Sequence, residues 1–229
     1  MGVWRAMALP SRVRVLSHLS HERSAAEATM FLATFKARTD GDAPFFTSDQ
    51  LPAYVAAWIA NDSTPEPPPR TRGPGRPRQA PKRVVDPHLR YAQVDKRRVG
   101  GRVVEVKRHL LFGAEADIVQ VLATDQCGAQ INTSYEERDN LTSRHSNGRL
   151  VRKTLSHSKK KASLQRHIDL EDAIYHFVRP HSALKLKLRQ PAAHGRRWQQ
   201  RTPAIAAGLT DHIWSLEELL SYCLPPPRG

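Results

Sequence analysis

The stretch from Ser63 to Pro87 constrains the fold more than any other. Eight of its 25 residues are proline, and its few apolar residues follow neither a helical nor a strand period. Proline fixes φ and removes a backbone donor, so such a run supplies neither the inside of a helix nor a central strand. It reads as a solvated, mostly extended linker or loop interrupting the surrounding domain. With 229 residues in all, the chain has room for one sizeable domain with appendages, or for two small ones.

Charge is distributed in blocks. The totals are 36 Lys and Arg against 22 Asp and Glu, a formal +14, which favours a polyanionic partner such as nucleic acid. Residues 1–62 carry six of each sign, whereas residues 63–109 carry 13 basic and four acidic side chains. Residues 138–166 carry nine and one, and residues 179–201 seven and none. A neutral core presenting basic surfaces on particular elements is expected. Cys127 and Cys223 stand apart, with no CxxC or Cys/His spacing, which argues against a disulfide framework or zinc finger and suits a reducing setting. No apolar run approaches the roughly 20 residues that span a bilayer, and the N-terminal apolar stretch is short for a signal peptide. The expectation is a soluble, cytoplasmic protein with no membrane partner.

Periodicity supplies the coarse order of elements. Val3 to Val15 reads as one or two short strands around a turn at Pro10-Ser11. From His21 to Arg38, Ala25, Ala28, Phe31, Leu32 and Phe35 recur at helical steps. Ala43 to Asp49 reads as a short buried strand ending in a carboxylate, and Leu51 to Ala60 as a helix that tolerates Pro52 in its first turn. Two β-rich runs flank Gly100-Gly101, a hairpin signal. Helices are predicted over Ala114 to Ala123, within Ile131 to Thr154 with Glu136 and Glu137 at the start, and over Leu164 to Val178 before Pro180. A basic, loop-like segment then leads to a last short helix, with Ser215 and Glu218 at capping-box spacing. This is an α/β order, with helices packed on a sheet.

Three groups of residues could carry chemistry. Within the proline-rich stretch, Gly75-Arg76-Pro77 flanked by Arg72 and Arg78 resembles an AT-hook, whose slim extended backbone fits the minor groove of A·T-rich DNA while its arginines meet the enhanced negative potential there. The alternative is a basic linker touching phosphates without selectivity. Asp49 at a strand end and Glu137 in the first turn of a helix could supply hard oxygen ligands from separate elements. Two-metal phosphoryl transfer requires such ligands, its ions being about 4 Å apart. Against this, Ser48-Asp49 could cap the following helix, and Ser134 with Glu137 has capping-box spacing. Asn140 and Arg144 share the helical stripe of Glu137 at i+3 and i+7. A third group, His167, Asp169, Glu171, His176 and His181, offers a rival transition-metal reading, although His176 and His181 do not share a helical face. Lys159-Lys160-Lys161 reads as a solvated helix start or a phosphate contact.

The stretch NTSYEERDNLTSRHSNGRLVRKTLSHSKKK, Asn132 to Lys161, closely resembles the C-terminal catalytic segment of bacterial insertion-sequence transposases of the IS-one type. There a glutamate followed by Arg, x, Asn, Leu, Thr, x, Arg opens a helix. FFTSDQLPAY, Phe45 to Tyr54, resembles their second catalytic aspartate and the Ala-Tyr pair after it. RWQQRTPAIAAGLTDHIWSLEELL, Arg197 to Leu220, resembles the C-terminal extension of related elements.

The resemblance implies an α/β, ribonuclease H-like fold, a mixed sheet flanked by helices, with a basic Pro-rich linker insertion and a C-terminal helical extension. Residues 1–62 and 88–181 would form the catalytic core, 63–87 the linker and 182–229 the basic extension. It implies a DDE mechanism with two Mg²⁺ (or Mn²⁺) ions acting on double-stranded DNA, with homo-oligomer assembly as an accompanying expectation. Carried onto this chain, Asp49 would be the second ligand and Glu137 the third, while Arg138, Asn140, Arg144, Arg149, Arg152 and Lys153 would contact DNA. Two positions depart from the pattern. Glu136 stands where an apolar residue is usual, and Ala8 stands where the first aspartate should project from the first strand. The expected upstream DNA-binding region is also missing, which reads as a shortened copy. Impaired catalysis follows from the departure at Ala8, and a non-catalytic, repressor-like DNA-binding protein is the alternative.

Overall fold

A computed structural model of the protein describes residues 2–39, 44–66, 81–124, 130–151, 153–192 and 195–223. In chain order its elements are β1 (Gly2–Ala8), β2 (Val13–Ser20), α1 (Ala25–Lys36), β3 (Phe45–Asp49), α2 (Pro52–Asn61), β4 (Ser63–Glu66), β5 (Lys82–Val85), β6 (Arg90–Val99), β7 (Arg102–Phe112) and α3 (Glu115–Thr124). There follow α4 (Ser134–Ser146), α5 (Lys161–Ala173), β8 (Leu186–Ala192), β9 (Arg196–Gln199), α6 (Pro203–Ala206) and α7 (Leu216–Ser221). This is a mixed α/β protein with a mixed sheet and flanking helices, as the order of periodicities predicts. It divides into two compact units, one of Ser20–Glu137 with the first two residues, the other of Val3–Leu19 with Arg138–Gly229.

The first unit is organised by the sheet β3-β6-β7, in which β3 runs parallel to β6 and β6 antiparallel to β7. Its core is a file of rings. Phe35 meets Phe46 at 5.6 Å, Phe46 meets Trp58 at 4.4 Å, Trp58 meets Tyr91 at 5.7 Å and Tyr91 meets Phe112 at 6.3 Å. The helical stripe of α1 buries Ala28, Phe31, Leu32 and Phe35, four of the five residues whose spacing predicts it. Aromatic residues bury large apolar area for few rotatable bonds, so this file supplies much of the unit's cohesion. The β6–β7 turn falls at Gly100 and Gly101, whose φ values of 56° and 79° lie in the left-handed region that glycine enters without strain.

Gly113, just after β7, has φ +98°, and a Cβ placed on it would lie 3.0 Å from Arg90 Cγ and 3.3 Å from Arg90 Cα. Gly113→Ala is therefore expected to destabilise the protein by about 1–3 kcal/mol, read as a lower urea midpoint at unchanged slope.

The margins of the proline-rich stretch are more regular than its composition suggests. Ser63–Glu66 and Lys82–Val85 pair antiparallel, Ser63 opposite Val85 and Glu66 opposite Lys82, and the Asp86 amide donates to the Asp62 carbonyl at 2.7 Å. The two described margins of the segment thus meet at one place. Pro65 sits in this two-stranded ribbon, where only one side of each strand needs a partner.

In the second unit β1 and β2 pair in a sheet of their own around the predicted turn, which holds a cis Leu9-Pro10 bond. Leu19, Leu164 and Ile168 form its buried apolar cluster, with Val3 and Leu150 packed against it. Gln165 docks α5 on β2, since its Oε1 accepts from the Leu19 amide at 2.8 Å and its Nε2 donates to the Ser17 carbonyl at 3.0 Å. The helix predicted over Leu164 to Val178 is observed as α5 followed by a π turn at Ile174–Val178. Trp214 packs on Phe177 at 4.7 Å and on Tyr222 at 5.1 Å, and Ser215 caps α7 by accepting from the Glu218 amide. The expected C-terminal helical extension is corrected in one respect: Leu186–Ala192 and Arg196–Gln199 pair as the antiparallel ribbon β8–β9. Leu186 and Leu188 alternate with Lys187 and Arg189, a period of two that suits a strand.

Candidate functional site

Asp49 is the last residue of β3, and its exposed carboxylate stands at the carboxyl end of a strand paired parallel to β6. The end of β3 is fixed by side chains. Ser48 Oγ and Tyr91 Oη lie 2.7 Å apart, and Gln93 Nε2 donates to the same phenol oxygen at 2.9 Å. In register Asp49 lies opposite Val94. Paired residues of neighbouring strands point to the same side of a sheet, as do residues two apart on one strand, so Asp49, Val94, Lys96 and Arg98 share a face. Lys96 stands about 7 Å further along β6 than Val94.

Glu137 reaches this face. Its Oε1 accepts from Lys96 Nζ at 2.9 Å, and its Oε2 lies 3.5 Å from Arg98 Nη2. The two acids that spacing nominates are thus brought to one side of one sheet end, and β6 is the element between them. Lys96 and Arg98 were not distinguished by sequence reasoning from the other basic residues of the hairpin. Their i, i+2 spacing beyond the point reached by β3 is the signal that could have found them.

The neighbouring Glu136 looks a different way. Burial pushes the Tyr54 phenol strongly upward, and the carboxylates of Glu136 and then Asp49 reinforce it. Tyr91 is raised by burial as well, against the lowering effect of its hydrogen bonds to Ser48 and Gln93, with Asp49 and Glu136 adding to the rise. Both phenols therefore sit in the field of two carboxylates, Asp49 and Glu136. Glu136 stands where the resemblance leads one to expect an apolar side chain, and it brings negative charge to the same strand end.

Two carboxylates on separate elements match a hard divalent cation in kind. They fall short in number, since both oxygens of Glu137 face cations. Among the described residues no three His, Cys, Asp or Glu side chains come together as a metal site. The rival histidine group does not converge on one point, although Glu171 and His176 both meet Arg14. Asp169 accepts from Gln165, Glu171 from Arg14, His176 from the Arg14 amide and His181 from the Ala183 amide.

Of the residues expected at DNA, Arg72, Arg76, Arg78 and Arg152 lie outside the described residues. Arg138, Arg144 and Arg149 are exposed, Asn140 is half-buried and Lys153 is exposed with φ 57°. The α4 stripe is set by what the helix buries. Asp139 and Ser143, at i and i+4, are its buried residues, which leaves Glu137, Asn140 and Arg144 on the outer side.

In the second unit Asp139 anchors a buried ionic network that sequence reasoning missed. Its carboxylate meets Arg14 Nη2 at 2.6 Å and Arg5 Nη1 at 2.9 Å. Arg5 also donates to Ser17 and Ser143, Arg14 reaches Asp172 at 2.8 Å, and the Arg14 guanidinium lies 4.0 Å over the Tyr175 ring.

The fold and the site define a mixed α/β protein with Asp49 at the end of β3 and Glu137 held by Lys96 and Arg98 of the neighbouring β6. Compared with known families, curated proteins and solved structures, the chain matches none. Among the described residues no helix is long and apolar enough to cross a membrane.

Proposed function

We propose that the chain is a DDE-type transposase of ribonuclease H-like fold, acting on double-stranded DNA, whose strand cleavage and strand transfer are impaired by the alanine at position 8. The observation that carries this reading is the convergence of Asp49 and Glu137 on one face at the carboxyl end of β3, the usual location of sites in open α/β sheets. The basic blocks of the sequence support a polyanionic substrate. Asp49 and Glu137 are the residues that would hold the divalent ions of such a site. The ions would supply charge stabilisation at the scissile phosphate. Lys96 and Arg98 hold Glu137 in place and neutralise it.

The test is a strand-transfer assay in Mg²⁺ or Mn²⁺ on the terminal repeats of the element. The chain as it stands is expected to be nearly inactive. Ala8→Asp is expected to raise the rate by about 10²-fold or more, because a misplaced or missing ligand costs on that order. Adding Glu137→Ala should abolish the gain. If neither the chain nor Ala8→Asp nicks or joins DNA, the enzymatic reading fails.

One observation favours a non-catalytic DNA-binding protein instead. The ion pairs of Glu137 with Lys96 and Arg98 give that carboxylate a purely structural partner set. Salt-dependent DNA binding that survives Glu137→Ala, with cleavage absent in every variant, would select this reading.

A further inference from the structure

The β8–β9 ribbon belongs to the longest acid-free part of the chain. Between Asp172 and Asp211 the sequence holds seven Lys and Arg and no Asp or Glu. Five of these cations, Lys185, Lys187, Arg189, Arg196 and Arg197, lie on the ribbon or at its entry, and all are exposed. Among the described residues none of the five has a carboxylate within ion-pairing distance. Unpaired cations packed this closely repel one another, an arrangement that a bound polyanion relieves.

The ribbon also has a defined face. Lys187 is paired with Trp198 and Ala192 with Arg196, so Trp198 and Arg196 point to the side of Lys187. Lys185 Nζ lies 4.8 Å over the Trp198 ring, which remains 41% exposed at the surface. One side therefore presents Lys185, Lys187 and Arg196 around an aromatic plane. The base of the ribbon is held firmly. Arg201 Nε donates to the Leu184 carbonyl at 2.7 Å, the His181 amide donates to the Arg201 carbonyl at 2.9 Å, and Leu184 and Thr202 are buried. A two-stranded projection anchored at its root keeps its cations in position without a large ordering cost on binding.

We infer that the β8–β9 ribbon is a docking element for duplex DNA, entering or lying along the major groove with its cations on the flanking phosphates. The B-form major groove admits a two-stranded ribbon, whereas the deep, narrow major groove of A-form RNA does not. The inference shares with the proposed function only the choice of DNA as the polyanion, and it requires no catalysis.

The test measures binding of a short labelled duplex of mixed sequence to the full chain, by fluorescence anisotropy over a range of salt. The variant is Lys185→Gln with Lys187→Gln, Arg196→Gln and Arg197→Gln, all at exposed positions, with circular dichroism to check folding. Each phosphate contact contributes about 0.9 to the slope of log affinity against log salt. The variant is therefore expected to lose about 3–4 from that slope and about 10²- to 10³-fold in affinity near 0.1 M salt. Trp198→Ala removes the ring over which Lys185 is held and is expected to weaken binding by about tenfold or less while leaving the slope unchanged, which a loss of phosphate contacts would not do. An unchanged slope in the folded quadruple variant overturns the inference, even if the chain proves to be an active transposase. Equal affinity for duplex RNA of the same length overturns the assignment to the DNA groove. Loss of binding in the variant, with Ala8→Asp still inactive, upholds the ribbon and sinks only the catalytic reading.

Discussion

Asp139→Ala is expected to lower stability by about 3–5 kcal/mol, a large share of the roughly 5–15 kcal/mol that holds a typical protein folded. Arg14 has no exposed side-chain surface and Arg5 has 2%, and the Asp139 carboxylate touches both. Removing it leaves two desolvated guanidinium groups to share Asp172, with Glu171 3.4 Å from Arg14. Arg5 Nη2 lacks a hydrogen-bond partner even with Asp139 present, and Glu171 Oε2, a buried carboxylate oxygen of this network without a hydrogen bond, cannot replace both oxygens of Asp139. The cost arises from the uncompensated charges and much less from the loss of a favourable pair. Asp139→Leu combined with Arg14→Met should accordingly cost less than the sum of the two single changes. Urea denaturation of the four proteins in this cycle checks it. Additive effects would show that Asp139 and Arg14 do not act as a unit.

The second large effect is a dependence on acid. His176 sits in the π turn after α5, and its Nε2 accepts from the Arg14 amide at 2.9 Å. Burial pushes its imidazole down to about 4, and the Arg14 guanidinium adds to the effect, against the opposing carboxylates of Asp172 and Asp139. In the unfolded chain the same imidazole titrates near its ordinary value of about 6.5. Between these values the unfolded chain binds a proton that the native state refuses, so the unfolded state gains as pH falls. The contribution of a neutral His176 is fully present above about pH 6.5 and is lost as pH drops toward 4, on the order of 3 kcal/mol in all. Below pH 4 this group adds no further change. His176→Gln keeps an acceptor for the Arg14 amide and removes the titration, so its stability between pH 7 and 4 should fall by that much less than the parent's. Parallel pH profiles for the two proteins would contradict the assignment.

Local features of the sequence were legible where the physics is local. The Gly100-Gly101 turn, the apolar stripe of α1, the Ser215 cap of α7 and the strand that ends in Asp49 each depend on residues within a turn or two of one another. Asp49 and Glu137 could likewise be nominated, because a carboxylate at a strand end and one in a helix's first turn are recognisable positions. Three things could not be read. Asp139 looked like one more helix acid, since its partners Arg5 and Arg14 lie 134 and 125 residues away. The different surroundings of Glu136 and Glu137 depend on how the first turn of α4 is rotated over the sheet. The β8–β9 ribbon was hidden by its charge, which resembles that of a loop even though its leucines alternate.

By itself the sequence determined the class of the fold, the sign of the surface and the two candidate acids, because periodicity and charge are properties of the residues themselves. Only the tertiary structure decided which acids are solvated, which are neutralised by cations and which are buried in a network. A carboxylate's behaviour is set by the dielectric and the charges within a few ångströms of it, and those neighbours come from distant parts of the chain.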